Sequence, residues 1–155
     1  MRLMLALVDF SRGTDALLTV AGRLARGMGC RLMLLHVTTP ESDLVAGRER
    51  ADESRRGIAM ELRRRHRELR VLEIELRKLG VDAVAVLSRS DSPRGNPVGK
   101  ILESVERHAP DLVIVGAHGG GRLRHLLGES VADAVARRAK RPVLLVPPGE
   151  DLRCF

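Results

Sequence analysis

Five short apolar runs recur along this chain, at 3–8 (LMLALV), 32–37 (LMLLHV), 83–87 (AVAVL), 112–115 (LVIV) and 143–146 (VLLV). None alternates apolar with polar residues, so each reads as a strand covered on both faces, the mark of a parallel sheet. Parallel strands need long crossovers, and helical patterns fill the gaps between the runs. Leu17, Ala21, Leu24 and Met28 keep to one helical face, and Gly29 stands where a left-handed cap belongs. Ile58, Leu62, Leu69, Leu72, Leu76 and Leu79 form a longer stripe that ends at Gly80. A third helix opens with Asn96 as N-cap and Pro97 at the first helical position, presents Val98, Ile101, Leu102 and Val105, and stops before Pro110. A fourth starts near Ser130, turns Val131, Val135 and Ala139 inward, and ends before Pro142. Strand and helix alternate through five strands, which predicts an α/β fold: a single doubly wound domain over residues 1–155.

Composition narrows the function classes. With 155 residues, 44% hydrophobic and 30% charged, the chain can bury one sizeable core and still be water-soluble. No apolar run approaches the ~20 residues of a membrane span, so no membrane partner is expected. The opening MRLMLALVDF is interrupted by Asp9 and reads as a strand and not a signal peptide. Cys30 and Cys154 lack the spacing of a zinc site or a disulfide framework, which fits a reducing cytoplasm. The net charge of +7, with 24 arginines against three lysines, suits phosphorylated or polyanionic ligands. Residues 48–78 hold eleven basic and seven acidic side chains, which raises the idea of a nucleic-acid surface. Two features argue against it. Glu61 with Arg65 and Glu73 with Arg77 have the spacing of ion pairs on a solvated helix, and two phenylalanines with no tyrosine or tryptophan leave little for base stacking.

Segments 38–53 and 89–96 are rich in turn formers and charge and follow strand ends. Ligands of open α/β sheets sit at the carboxyl ends of the strands, so the loops there matter most. After the first run comes VDFS, where Asp9 either closes an Asx turn or helix cap, or accepts hydrogen bonds from a base or ribose, or holds a metal through water. After the fourth comes GAHGGGRLRHLLGESV, 116–131, with five glycines where a plain turn needs one at most. Its amides can form a concave anion site facing a helix N-terminus, and Arg122 and Arg124 add charge inside it. There is no GxxxxGK[ST] loop and no glycine fingerprint after the first strand. No Ser, His and Asp set declares a nucleophile, so no catalytic residue is assigned. His36, on a strand, reads as a hydrogen-bonded core residue, and His66, His108 and His125 have no metal-like spacing.

The combination of LALVDFS at 5–11, LLHV at 34–37 and Gly116-x-x-Gly119 leading to GESVADAVARRAKRPVLLV at 128–146 resembles the universal stress protein family over essentially the whole chain. The resemblance implies a five-stranded parallel sheet in the order 3-2-1-4-5 with two helices on each face. It also implies ATP binding with a divalent ion, Mg or Mn, although another branch of the family binds no nucleotide. Carried over by position, Leu7, Val8 and Asp9 meet adenine and ribose, Val37 lines the base pocket, and Val115 joins the binding set. Gly116 and Gly119 meet ribose and phosphate, while Ser130 and the amide of Val131 hold phosphate oxygens. His118 fits the family loop and needs no catalytic role. The family spacing is Gly-x-x-Gly, nine residues, then Gly-Ser or Gly-Thr, and here Glu129 stands at the later glycine with Gly128 one residue early. Either the loop shifts so that Gly128 serves, or Glu129 sets a carboxylate beside the phosphates. The expectation is a cytoplasmic stress-response regulator that binds an adenine nucleotide and pairs as a homodimer through residues 143–146. The alternatives are a family member acting through protein partners alone, or a very slow ATPase assisted by Asp9 and a metal.

Overall fold

Each apolar run becomes a strand: β1 (Leu3–Leu7), β2 (Arg31–Thr38), β3 (Ala83–Arg89), β4 (Leu112–Gly116) and β5 (Val143–Val146). Between them lie α1 (Thr14–Met28), α2 (Ala51–Lys78), α3 (Val98–His108) and α4 (Val131–Arg138). The computed structural model describes residues 2–39, 51–90, 97–117 and 130–149. All neighbouring strands pair in parallel, in the order β3-β2-β1-β4-β5. This is the order that the family resemblance implies.

The uninterrupted apolar strands have the physical cause inferred from sequence, since both faces of the sheet are covered. Met4, Ala6, Leu32, Leu34 and Ile114 point to one face, where they pack with Leu17 and Ala21 of α1 and Leu69 and Leu76 of α2. Leu5, Met33, Leu35, Val113 and Val115 point to the other, against Ile101 and Val105 of α3 and Val135 of α4. Gly22 allows α1 to approach α2, because a Cβ there would lie 2.9 Å from Leu76 Cδ2. Gly29 takes the left-handed conformation (φ 61°) that ends α1.

Several details differ from the sequence reading. Met28 and Leu79 are 52% and 63% exposed, the one at the last residue of α1 and the other just beyond the end of α2. α2 begins at Ala51, inside the segment read as loop. Pro97, and not Asn96, takes the N-cap place of α3: its carbonyl accepts the Ile101 amide at 2.9 Å, and the helix counts from Val98. Asn96 lies outside the described residues.

Glu73 is the main correction, being 1% exposed and so not on a solvated face. Ser90 N–H and Asp82 C=O point from β3 toward β2, so the odd-numbered β3 residues point their amides outward. There α2 stands in for a missing strand. Ala85 N–H donates to Glu73 Oε2 at 3.0 Å, and Arg77 Nε donates to the Ala83 carbonyl at 2.8 Å. Arg70 Nη1 donates to the same Oε2 at 2.6 Å, and Arg77 Nη2 lies 3.0 Å from Oε1. That last contact neutralises charge without a well-aligned hydrogen bond, and among the described residues Oε1 has no other donor.

Candidate functional site

From β1 the chain moves outward to β2 and β3, and from β4 it moves the opposite way to β5. The reversal opens a crevice at the carboxyl ends of β1 and β4, where open α/β sheets receive ligands. β1 and β4 run in register as Met4 with Leu112, Leu5 with Val113 and Ala6 with Ile114, which brings Leu7 and Val115 to the same end. Leu7, Val37 and Val131 all pack against the cluster that buries Val115, so four of the residues that the resemblance names lie in one core cluster. Val8 is buried in the opposite cluster. Its N–H donates to the Leu35 carbonyl at 2.8 Å and its own carbonyl accepts from His36 at 2.6 Å. At Gly116 a Cβ would meet nothing within 4 Å among the described residues, and no positive φ is present, so neither these residues nor the backbone angle requires glycine there.

The turn after β1 is held by Asp9. Its Oδ1 accepts the Ser11 amide at 2.9 Å and the Thr14 hydroxyl at 3.4 Å, the Asx turn that was one of the two sequence readings. Phe10 is held at φ 55°, a region an L side chain seldom enters. Its ring stands edge-on to His36 at 4.8 Å between centroids, and the Arg65 guanidinium lies 5.3 Å from its centroid. Since a carbonyl only accepts, His36 Nδ1 carries the proton it gives to Val8. Burial pushes the His36 pKa below its ordinary 6.5, the bond to Val8 opposes that shift, and the Arg65 charge reinforces it. His36 therefore is the hydrogen-bonded strand residue expected. The contacts of Phe10 and Arg65 were missed, and the only sequence signal was a rare aromatic directly after Asp9.

On the far side of the crevice Ser130 caps α4 with extended geometry (φ −70°, ψ 152°). Its Oγ accepts the Asp133 amide at 3.1 Å and donates to Asp133 Oδ2 at 2.6 Å. This reciprocal cap was also missed, although the Ser-x-x-Asp spacing that signals it is plain in the sequence. The amides of Val131 and Ala132, in the first turn, have no partner within the helix, and among the described residues no other acceptor meets them. Gly119, Gly128 and Glu129, with His118, Arg122 and Arg124, lie outside the described residues. Among the described residues no three His, Cys, Asp or Glu side chains gather as metal ligands, and no helix is long and apolar enough to cross a membrane.

No curated protein matches this sequence. Solved structures do resemble the fold. Universal stress protein UspA from Lactobacillus plantarum superposes with a TM-score of 0.73 at 18% identity, covering 94% of this chain and 97% of that one. A universal stress protein family member from Arabidopsis thaliana with AMP bound gives 0.67 at 18% identity, covering 97% and 94%. The universal stress protein from Archaeoglobus fulgidus in complex with dAMP gives 0.60 at 21%, covering 94% and 98%. The model of the universal stress protein family matches residues 1–147; with the strand order and the β1–β4 crevice already in place, the chain belongs to the universal stress protein family.

Proposed function

We propose that this chain is a cytoplasmic stress-response regulator that binds an adenine nucleotide in the crevice between β1 and β4, as a binding module and not an efficient enzyme. The observation that carries the reading is Gly116, where among the described residues nothing would crowd a Cβ, at the end of β4 beside the first-turn amides of α4. A ligand passing close to that backbone gives a reason for glycine there. The AMP and dAMP complexes of the Arabidopsis and Archaeoglobus proteins support the choice of ligand. In this reading Leu7, Val37 and Val115 face the base, with Val8 forming the floor of the strand end. Asp9 uses Oδ1 for its own turn and turns Oδ2 to the ribose. Ser130, Val131 and the loop glycines Gly119 and Gly128 take the phosphates. A bound triphosphate would bring Mg or Mn to neutralise its charge, and the phosphate would compete with Asp133 for the Ser130 hydroxyl.

Melting of the purified protein with AMP and with ATP, each with and without Mg, tests the proposal. A nucleotide at 100 times its dissociation constant stabilises by ~2.7 kcal/mol, about 5–10 °C in melting temperature for a domain of this size. Glu129→Gly, which restores the family spacing, should tighten ATP binding. No shift with any nucleotide in either protein would defeat the reading.

The same reading includes a homodimer through residues 143–146. β5 is the last strand of the sheet, and Leu145 on it is 41% exposed. An apolar edge strand of this kind seeks a partner, and Pro142 and Pro147 limit the pairing to four residues.

A further inference from the structure

The β1–β2 ladder breaks off while β2 still has a residue facing β1. Even-numbered β2 residues turn their backbone groups toward β3: Leu32 N–H donates to the Asp82 carbonyl, and the Thr38 carbonyl accepts the Ser90 amide. Odd-numbered ones therefore face β1, where Arg31 N–H donates to Arg2 and the Leu35 carbonyl accepts Val8 N–H. Leu7 stands opposite Leu35, so the next rung in register would join Val37 N–H to the Val8 carbonyl and Phe10 N–H to the Val37 carbonyl. Among the described residues neither bond forms. The Val8 carbonyl is taken by His36 Nδ1 at 2.6 Å. Alternation along β2 sets the His36 side chain on the α2 face of the sheet, with Leu32 and Leu34, so this bond draws the carbonyl out of the plane of the ladder. The ring is braced there, edge-on to Phe10 at 4.8 Å, with Arg65 of α2 over Phe10 at 5.3 Å. Val37 is left with an amide and a carbonyl that face the gap past the end of β1, where the crevice opens.

We propose, on the reading that a nucleotide occupies the β1–β4 crevice, that His36 is a positioning residue: by holding the Val8 carbonyl off the ladder, it keeps the Val37 peptide edge open to the base. Val8 is buried, and a buried carbonyl does not go without a donor. Where His36 cannot serve it, the Val37 amide is the next donor in register, and the ladder closes over the edge that the base needs. The open edge sets a donor beside an acceptor. Adenine presents the complement, a ring-nitrogen acceptor beside an amine donor, whereas hypoxanthine has donor and acceptor exchanged and leaves such an edge unpaired.

The test compares the wild type with His36→Phe, His36→Leu and His36→Asn in two measurements. Phenylalanine and leucine remove the donor, while asparagine keeps an N–H at about the place of Nδ1. Backbone amide exchange is followed by NMR without ligand, and binding of AMP and of inosine monophosphate is followed by calorimetry. Exchange at Val37 should slow at least about tenfold in the phenylalanine and leucine variants, as its amide gains a ladder bond, and stay fast in the asparagine variant. Damage to this strand end acts in the opposite direction, since a loosened strand exchanges faster. AMP should bind the two apolar variants at least about tenfold more weakly, with its preference over inosine monophosphate reduced, and should bind His36→Asn as it binds the wild type. Val37 exchange unchanged or faster in both apolar variants would overturn the proposal, as would AMP affinity in them equal to that of the wild type. A wild type that binds neither nucleotide would defeat the nucleotide reading, and the exchange at Val37 would then decide the role of His36 by itself.

Discussion

Glu73→Ala should destabilise the fold by about 2–4 kcal/mol, and the size of the loss follows from what its two oxygens touch. The substitution strands the Ala85 amide, which now donates to Oε2 at 3.0 Å; a buried donor left unsatisfied costs about 1–3 kcal/mol. It also removes one buried methylene, Cγ, at about 0.8 kcal/mol. The ion pairs add little. Arg70 and Arg77 are 49% and 54% exposed, so both guanidinium groups return to water and the larger penalty of a stranded buried charge does not arise. Glu73→Gln keeps an acceptor for Ala85 and should lose only about 1 kcal/mol. Urea unfolding of the three proteins measures both differences, with melting lowered by about 5–15 °C for the alanine variant. Amide exchange at Ala85 should accelerate in Glu73→Ala and not in Glu73→Gln. Equal stability of the alanine and glutamine variants would refute the reasoning, because it would mean that the strand amide does not depend on this oxygen.

Ser130→Ala removes the acceptor for the Asp133 amide and should cost about 1 kcal/mol, read as a melting shift of about 2–4 °C without ligand, and should weaken any nucleotide response as well. His36 gives a pH signature. Its folded pKa lies below 6.5, so the unfolded chain takes up the proton first. The stabilisation is therefore full above the unfolded value and is lost as pH falls through 6.5 toward the folded pKa. Melting between pH 7 and pH 5 should show that loss, and His36→Gln should remove its share of it. Leu145→Asp should give a monomer in light scattering where the wild type gives a dimer; a wild type already monomeric at micromolar concentration would count against pairing through β5.

Much of the fold was legible because its strongest signal is binary. Strands buried on both faces cannot alternate, and the runs from Leu3 to Val146 do not. The strand order came from the resemblance, since no spacing in the sequence says that β4 lies beside β1. Glu73 shows where local reading fails. Its four-residue step to Arg77 describes a surface ion pair equally well, and only its place between Leu69 and Leu76, on the buried stripe, marked it as an inward carboxylate. At the site, Asp9 was visible because strand ends have turn rules, whereas Ser130 came from the family resemblance and its bonds to Asp133 went unread. The edge-on contact of Phe10 with His36 depends on β1 and β2 being neighbours, a long-range fact that the tetrapeptide VDFS cannot carry.

The two ends of the sheet are of unequal kind, and this biases where the sheet can acquire a neighbour. At β3 the outward amide of Ala85 and the outward carbonyl of Ala83 are already occupied by Glu73 and Arg77. At β5, among the described residues, no strand lies beyond Val143–Val146. A sheet with both ends open can add units indefinitely, as fibres do. Here a strand approaching β3 would have to displace a buried carboxylate and a guanidinium before it could pair at Ala83 and Ala85, whereas one approaching β5 displaces no strand. The buried carboxylate at one end thus directs extension of the sheet to the other.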